Sequence, residues 1–215
     1  GGPFIPAGMA IVKDPDTGIR NMSIHRMQVF DAKNAGFIML PRQARKIYDK
    51  YVAKGENMPV AIAIGAHPAI IFGSAFTTTF GVDELAVAGG LLGDAVRLVK
   101  AETVDVEVPA DAEIILEGEI LANRTHPEGP YGEVHRRNPI YYALHCGAPT
   151  TDTQATTGLG IEIATWEHMD KVEGGLDLID VRCHPAGGMM LLVVKMRPRV
   201  EGQAKTALMA ALSGP

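Results

Sequence analysis

Two glutamates flank a turn-forming tetrad in "HPEGPYGEV": Glu128 precedes Gly-Pro-Tyr-Gly and Glu133 follows it. Gly129, Pro130 and Gly132 forbid a helix and disfavour an ordinary strand, because proline has no N–H to donate and glycine loses the most backbone freedom on ordering. The segment reads as a loop of fixed shape. A rigid frame between two acids can aim both carboxylates into one cavity; the plainer reading is a surface turn with two solvated glutamates. A guanidinium to accompany them stands at Arg26, in "RNMSIHRMQV". An arginine flanked by carboxylates holds one as a base and keeps the other poised as an acid, which is general acid–base equipment. Asn21 in the same stretch, and Glu84 in "FGSAFTTTFGVDEL", are oxygen ligands suited to a hard cation. The Asp83–Glu84 pair equally suits a helix cap or dipole.

Other chemistries lack their signatures. The chain has no GxSxG elbow, HExxH helix, Walker loop or dinucleotide fingerprint. His145-Cys146 and Cys183-His184 lack the Cys-x-x-Cys and His-x-x-x-His spacings of a zinc site. Trp166 and His168 fall on an expected helix and read as structural or exposed. His135 to Arg137 reads as a solvated basic cluster.

The elements that must hold these residues follow from pattern. "DPDTG" between apolar runs predicts a hairpin, whose second strand carries Asn21, Ser23, His25 and Met27 on one side and Met22, Ile24, Arg26 and Gln28 on the other. A strand polar on both faces is an edge strand or lines a site. Arg42 to Gly55 predicts a helix with Ile47, Tyr48, Tyr51 and Val52 on one face, ended by glycine. "PVAIAIG" predicts a buried strand, "VDELAVAGGLLG" a short helix with a glycine break, and "VDVEVP" and "AEIILEGEIL" strands, the latter with Ile115, Glu117 and Glu119 facing one way. After about Ala148 the pattern becomes helix, strand, strand, helix, an α+β rhythm. No repeat or low-complexity tract interrupts it.

The 215 residues are enough for one large domain or two small ones. A net charge of -5 argues against a nucleic-acid binder, and no apolar run of eighteen residues suggests a membrane span. Two cysteines are too few for a disulfide scaffold, so a reduced, cytoplasmic setting is expected. The first residues, "GGPFIPAG", carry no start methionine, and the chain is expected to be a piece of a longer protein.

Read together, "DPDTGIRNMSIHRMQV", "MPVAIAIGAHPA", "GVDELAVAGGLLG", "LVKAETVDVEVPADAEIILEGEI", "PEGPYGE", "HRRNPIYYA" and "GQAKTALMAALSGP" resemble the UbiD family of reversible decarboxylases, which use prenylated FMN. The motifs cover most of the chain. The resemblance implies an α+β fold: a flavin-reductase-like antiparallel β-barrel with flanking helices over residues 1–147, then a small α+β portion over 148–215 that begins a C-terminal domain. It implies a carboxy-lyase acting on an aromatic or α,β-unsaturated carboxylic acid, with the Glu-Arg-Glu network on Glu128, Arg26 and Glu133. Glu133 would be the proton donor, and Arg26 and Glu128 would orient the substrate carboxylate. The backbone of Ile24, His25 and Arg26 would lie against the isoalloxazine.

A divalent metal, Mn2+ or Mg2+, would bridge the cofactor phosphate to Asn21 and Glu84, and K+ would sit near Gly73, Ser74 and Phe76. A flavin prenyltransferase would supply the cofactor, and the assembly would be a homodimer or larger. Losing CO2 from an sp2 carbon leaves an electron pair that no side chain can hold, which is the chemical reason for a cofactor. Two departures stand out. Arg42 occupies the position where a metal-binding histidine is expected; an arginine cannot ligate a cation and would instead pair with the phosphate. Val134 runs straight into His135, where the family normally inserts a loop and a further strand. An inactive cofactor-binding or assembly subunit of the same fold is the alternative, and a glycosidase-like use of the two glutamates is a third reading, with aromatics at only 6% to build sugar platforms.

Overall fold

The computed structural model describes residues 3–122, 128–135, 152–172, 174–184, 187 and 190–213; for 128–135 and 152–154 it describes the backbone alone. The chain divides into two units, Gly1–Ser74 with Thr79–Leu144, and Ala75–Thr78 with His145–Pro215. The boundary expected at 147/148 lies outside the described residues. Among the described residues no helix is long and apolar enough to cross a membrane.

The first unit is built on strands β1 (Phe4–Lys13), β2 (Arg20–Val29), β3 (Asn34–Phe37), β4 (Met58–Ile64), β5 (Leu98–Lys100), β6 (Glu107–Pro109), β7 (Ile114–Ile120) and β8 (Glu128–His135), with helices α1 (Gln43–Lys54), α2 (Pro68–Ala75) and α3 (Glu84–Leu92). β1 pairs with β2 and β4, β4 with β7, β7 with β8, β8 with β3, and β3 with β2, so six antiparallel strands close on themselves. Closure removes sheet edges. The edge-strand reading of β2 is therefore excluded, since β2 is paired on both sides.

The strands read as apolar are buried on both faces: Met9–Val12 of β1 and Val60–Ile64 of β4 are almost entirely shielded. One set of alternating side chains, Ala10, Val12, Met27, Phe37, Val60, Ile62 and Leu116, fills the barrel, and Ala44, Ile47 and Tyr48 of α1 pack against it. The other set, Met9, Ile11, Met22, Ala61, Ala63 and Ile115, lies outside under Ile70 and Ile71 of α2 and Leu85 and Ala88 of α3. Val52, expected on the buried face of α1, is exposed. α1 stops at Gly55, whose φ of 72° lets its N–H reach the Tyr51 and Val52 carbonyls.

The segment read as a rigid loop is strand β8 from Glu128 onward; His126 and Pro127 lie outside the described residues. Its proline is tolerated for a specific reason. Pro130 is paired with Asn34 of β3, while pairing with β7 begins one residue later, at Tyr131. The missing N–H thus falls where one neighbour alone is engaged, and closing the ring outweighs the local preference. The sequence pattern also left β3, β5 and α2 unassigned.

The β1–β2 turn is held by a buried carboxylate. Asp14 accepts from the Asp16 and Thr17 N–H groups at 2.9 and 3.4 Å and from Lys50 of α1 at 2.6 Å. Burial alone would raise its pKa, but the Lys50 bond, the backbone bonds and the Lys50 charge together hold it below the ordinary 3.8.

The second unit contains α4 (Asp152–Asp170), β9 (Asp177–Cys183), β10 (Leu192–Arg197) and α5 (Gln203–Ser213). This is the expected helix, strand, strand, helix order. β9 and β10 pair antiparallel, and Met169, Leu176, Ala207 and Ala210 form the small core.

Two outcomes are expected. Because the folded pKa of Asp14 is depressed, its stabilisation is complete above the ordinary value and is lost as pH falls through the lower folded value. Asp14→Asn should therefore lower the urea midpoint at pH 7, and its deficit against the parent should shrink below pH 3.8. Gly73 is the point where α2 meets α3: an added Cβ would lie 2.9 Å from both the Ala88 Cβ and the Glu84 carbonyl. Gly73→Ala should cost about 1–3 kcal/mol, measured by the same titration; an unchanged midpoint would show that the helices separate freely.

Candidate active site

The polar groups of the first unit collect along β2 and at the start of α3. Asn21 and Glu84, singled out as cation ligands, are both buried and in contact: the Asn21 amide donates to one Glu84 oxygen at 3.0 Å, and the Met22 N–H donates to the other at 2.8 Å. Asp83 is the cap of α3, its side chain accepting from the Leu85 N–H at 2.9 Å. The acid pair is thus split between two tasks, Asp83 capping the first turn of the helix and Glu84 facing the strand.

Further along the same row, the Ser23 hydroxyl lies 2.8 Å from Nε2 of His25, whose Nδ1 lies 2.8 Å from the Ile38 carbonyl. A carbonyl only accepts, so Nδ1 carries the proton and Nε2 accepts from Ser23. Burial depresses the His25 pKa below the ordinary 6.5, against the Ile38 bond that raises it, and favours this neutral form. The His25 ring also stacks at 4.5 Å on Phe37. With its hydroxyl proton on His25, Ser23 has none for the Asn21 carbonyl oxygen, which is 3.5 Å away at the limit of a hydrogen bond. The Asn21 oxygen is therefore a buried acceptor with weak protein satisfaction.

That oxygen and the Glu84 carboxylate are what the described residues offer a hard cation. Among them no cluster of three His, Cys, Asp or Glu exists. Two protein oxygens suit Mg2+ or Mn2+ in the mode where phosphate and water complete the shell.

Arg26 is exposed, and its carbonyl accepts from the Ile38 N–H at 3.3 Å. Ile24 packs against the outer core. The backbone of β8 places Glu128 opposite Gly36, which itself pairs with Gln28, and Glu133 opposite Leu116. Whether Arg26 and the two carboxyl groups meet lies outside the described side chains. Arg42 is exposed at the start of α1, where its side chain makes no cap bond. Ser74 is buried with its hydroxyl on the Ile71 carbonyl at 2.7 Å. Phe76 is half-buried and belongs to the second unit. Of the zinc-like pairs, His145 and Cys146 lie outside the described residues, as do Arg136 and Arg137.

Two groups went unassigned in the sequence. Arg20 forks onto Asp83 at 3.0 and 2.7 Å and reaches Glu107 at 3.0 Å, and Lys13 reaches Glu107 at 3.3 Å. Glu117, in mid-strand, is 1% exposed and accepts from the Glu102 and Thr103 N–H groups and the Thr103 hydroxyl at 2.9, 2.6 and 2.6 Å. Burial pushes its pKa up, but these bonds outweigh it and the group stays ionised. A charge in mid-strand, on the same face as Ile115, was the available signal. Cavities of about 420 Å³ between α4 and β9 and about 200 Å³ under β5–β6 are lined by neither Asn21, Arg26 nor Glu84.

Comparison with known proteins fits this arrangement. The family profile described as UbiD, 3-octaprenyl-4-hydroxybenzoate carboxy-lyase Rift-related domain, matches residues 1–143. Ferulic acid decarboxylase 1 of Saccharomyces cerevisiae is 32% identical over 221 residues, spanning 91% of this chain and 44% of that protein. Anhydromevalonate phosphate decarboxylase of Methanothermobacter thermautotrophicus is 42% identical over 131 residues, 61% of this chain and 31% of that protein. An evolved dimeric form of the UbiD-class enzyme HmfF from Pelotomaculum thermopropionicum, solved in complex with prFMN, superposes with a TM-score of 0.90 at 35% identity, over 99% of this chain and 53% of that one. The chain spans about a third to a half of the length of the curated relatives it matches. A match over two-thirds of the sequence, on a barrel in which a buried asparagine of β2 meets a buried glutamate of α3, makes this chain a member of the UbiD family.

Proposed function

We propose that the protein carries out reversible, non-oxidative decarboxylation of an aromatic or α,β-unsaturated carboxylic acid with prenylated FMN, on a barrel of the flavin-reductase-like type. The observation that carries this reading is β2. The strand has no edge to blunt, yet it holds Asn21, Ser23, His25 and Arg26 where its neighbour β1 is mostly apolar. Family membership supports the cofactor, because the similar HmfF structure is a complex with prFMN.

When bound, the cofactor supplies the electron sink that the departing CO2 requires. The chain's own residues do the rest. The backbone of Ile24, His25 and Arg26 would back the ring system, and Asn21 and Glu84 would hold a Mn2+ or Mg2+ ion, which would neutralise phosphate charge. Arg42 would pair with the phosphate directly, and backbone carbonyls near Ser74 would hold K+. Arg26 would fork onto the substrate carboxylate and, together with Glu128, orient it. Glu133 delivers a proton to the carbon that the carboxylate leaves, so that RCOO⁻ and H⁺ become RH and CO2. Strict strand alternation separates positions five apart, so convergence of Glu128 and Glu133 requires a break between them; Pro130 and Gly132 are the residue types at which strands make one.

The substrate is a small carboxylic acid, the cofactor comes from a flavin prenyltransferase, and the working form is a cytoplasmic homodimer or larger. A second reading, an inactive cofactor-binding or assembly subunit, is favoured by Arg42 standing where a metal-binding histidine is expected.

The test is CO2 release from a panel of aryl and enoic acids after co-expression with a flavin prenyltransferase. Glu133→Gln should lower the rate by about 10²–10⁴-fold while the bound chromophore persists. If Glu128 and Glu133 serve one reacting centre, the double glutamine variant should be no slower than the worse single one. Parent-rate turnover by Glu133→Gln sinks the donor assignment; a chromophore with no turnover on any acid favours the inactive subunit.

A further inference from the structure

Arg20, Asn21 and Met22 are consecutive on β2, and Asp83 and Glu84 are consecutive at the start of α3. The two runs are 63 residues apart in sequence and are joined twice. Arg20 places two N–H groups on one Asp83 oxygen, at 3.0 and 2.7 Å. The other Asp83 oxygen caps the Leu85 N–H at 2.9 Å. The guanidinium is itself anchored, because its third arm holds Glu107 at 3.0 Å and Lys13 braces Glu107 from the far side at 3.3 Å. One residue beyond Asp83, the Glu84 carboxylate ends on the Asn21 amide and the Met22 N–H.

We propose that Arg20 is a positioning residue: by holding Asp83 it fixes the first turn of α3 so that the Glu84 carboxylate is aimed at Asn21 and the Met22 N–H. The argument is geometric. A buried carboxylate is costly unless its partners are in place, and Glu84 has no slack to find them by itself, since the Glu84 carbonyl and Ala88 already abut Gly73 of α2. An isolated arginine–aspartate pair of this partial exposure contributes little to stability. A fork tied to a braced second acid contributes direction, because its planar donors fix the angle as well as the distance. Lysine at this position keeps the charge and loses the angle. The inference deepens the proposed function and rests on it only for what Asn21 and Glu84 face.

The decisive reading is hydrogen exchange at the Met22 amide, which needs no ligand. Arg20→Gln should speed it about tenfold or more. Asp83→Asn, which keeps a good cap but loses the charge-assisted bond, should do the same and stands in if Arg20→Gln fails to fold. Arg20→Lys should recover the thermal midpoint but not the protection. Arg97→Gln, which removes an exposed arginine–aspartate pair, should change neither. Ile62→Ala provides the comparison for a general loss of stability. FMN titrated with Mn2+ present should bind about tenfold more weakly to Arg20→Gln and Asp83→Asn than to the parent. Parent-like Met22 exchange in both variants overturns the proposal, as does equal acceleration in an Ile62→Ala protein of matched midpoint. Exchange that responds while FMN binds neither parent nor variants leaves the clasp standing and removes the proposed function.

Discussion

Side chains of a strand alternate with a period of two, so a one-residue slip of β2 against β1 would exchange everything on its two faces. Met27 would leave the barrel interior, and Asn21 would lose Glu84. The register that prevents this, with Lys13 opposite Arg20 and Ala10 opposite Ser23, is set where the two strands turn. There the Asp14 carboxylate ties the turn to itself and to α1, Gly18 at a φ of 72° closes it, and the Tyr51 hydroxyl adds a bond to the Lys13 carbonyl at 3.1 Å. Asn21, Ser23 and His25 inherit their positions from this one turn; beyond His25 the register shifts, between Ile5 and Gly8 of β1.

What β2 inherits, α3 and α2 complete. A polar strand inside a closed ring is tolerable only if each buried group finds a partner, and the partners come from three directions. Ile38, just past β3, takes the His25 ring, α3 supplies Glu84, and β6 supplies Glu107 behind Arg20. The close packing of α2 on α3 at Gly73 removes the freedom that α3 would otherwise have to tilt.

Much of this was legible in the sequence. The hairpin, α1, β4, α3, β7 and all four elements of the second unit follow from apolar period, turn residues and capping glycines. β8 was not legible, because Gly129, Pro130 and Gly132 argue locally against a strand and only pairing with β3 and β7 on either side of Pro130 reverses that. β3 and β5, of four and three residues, are too short to show a period. The residue types of the site were visible through motif resemblance, but the Arg20–Asp83 bond was not. It joins residues 63 apart with no local pattern. Glu117 was visible as a misplaced charge, though its partners in the 102–103 turn were not.

Beyond the burial of Val106 and Val108, polar groups fasten the β5–β6 hairpin to the barrel at two points of different character. On one side Glu117 grips the 102–103 backbone and the Thr103 hydroxyl with no cation involved. On the other, Glu107 is held by Lys13 and Arg20, partly open to solvent. Dissolved electrolyte screens the second fastening and leaves the first almost untouched. Electrolyte therefore reaches the Glu107 side of the hairpin alone, while Val106 and Val108, buried among the core residues, keep it seated at any ionic strength.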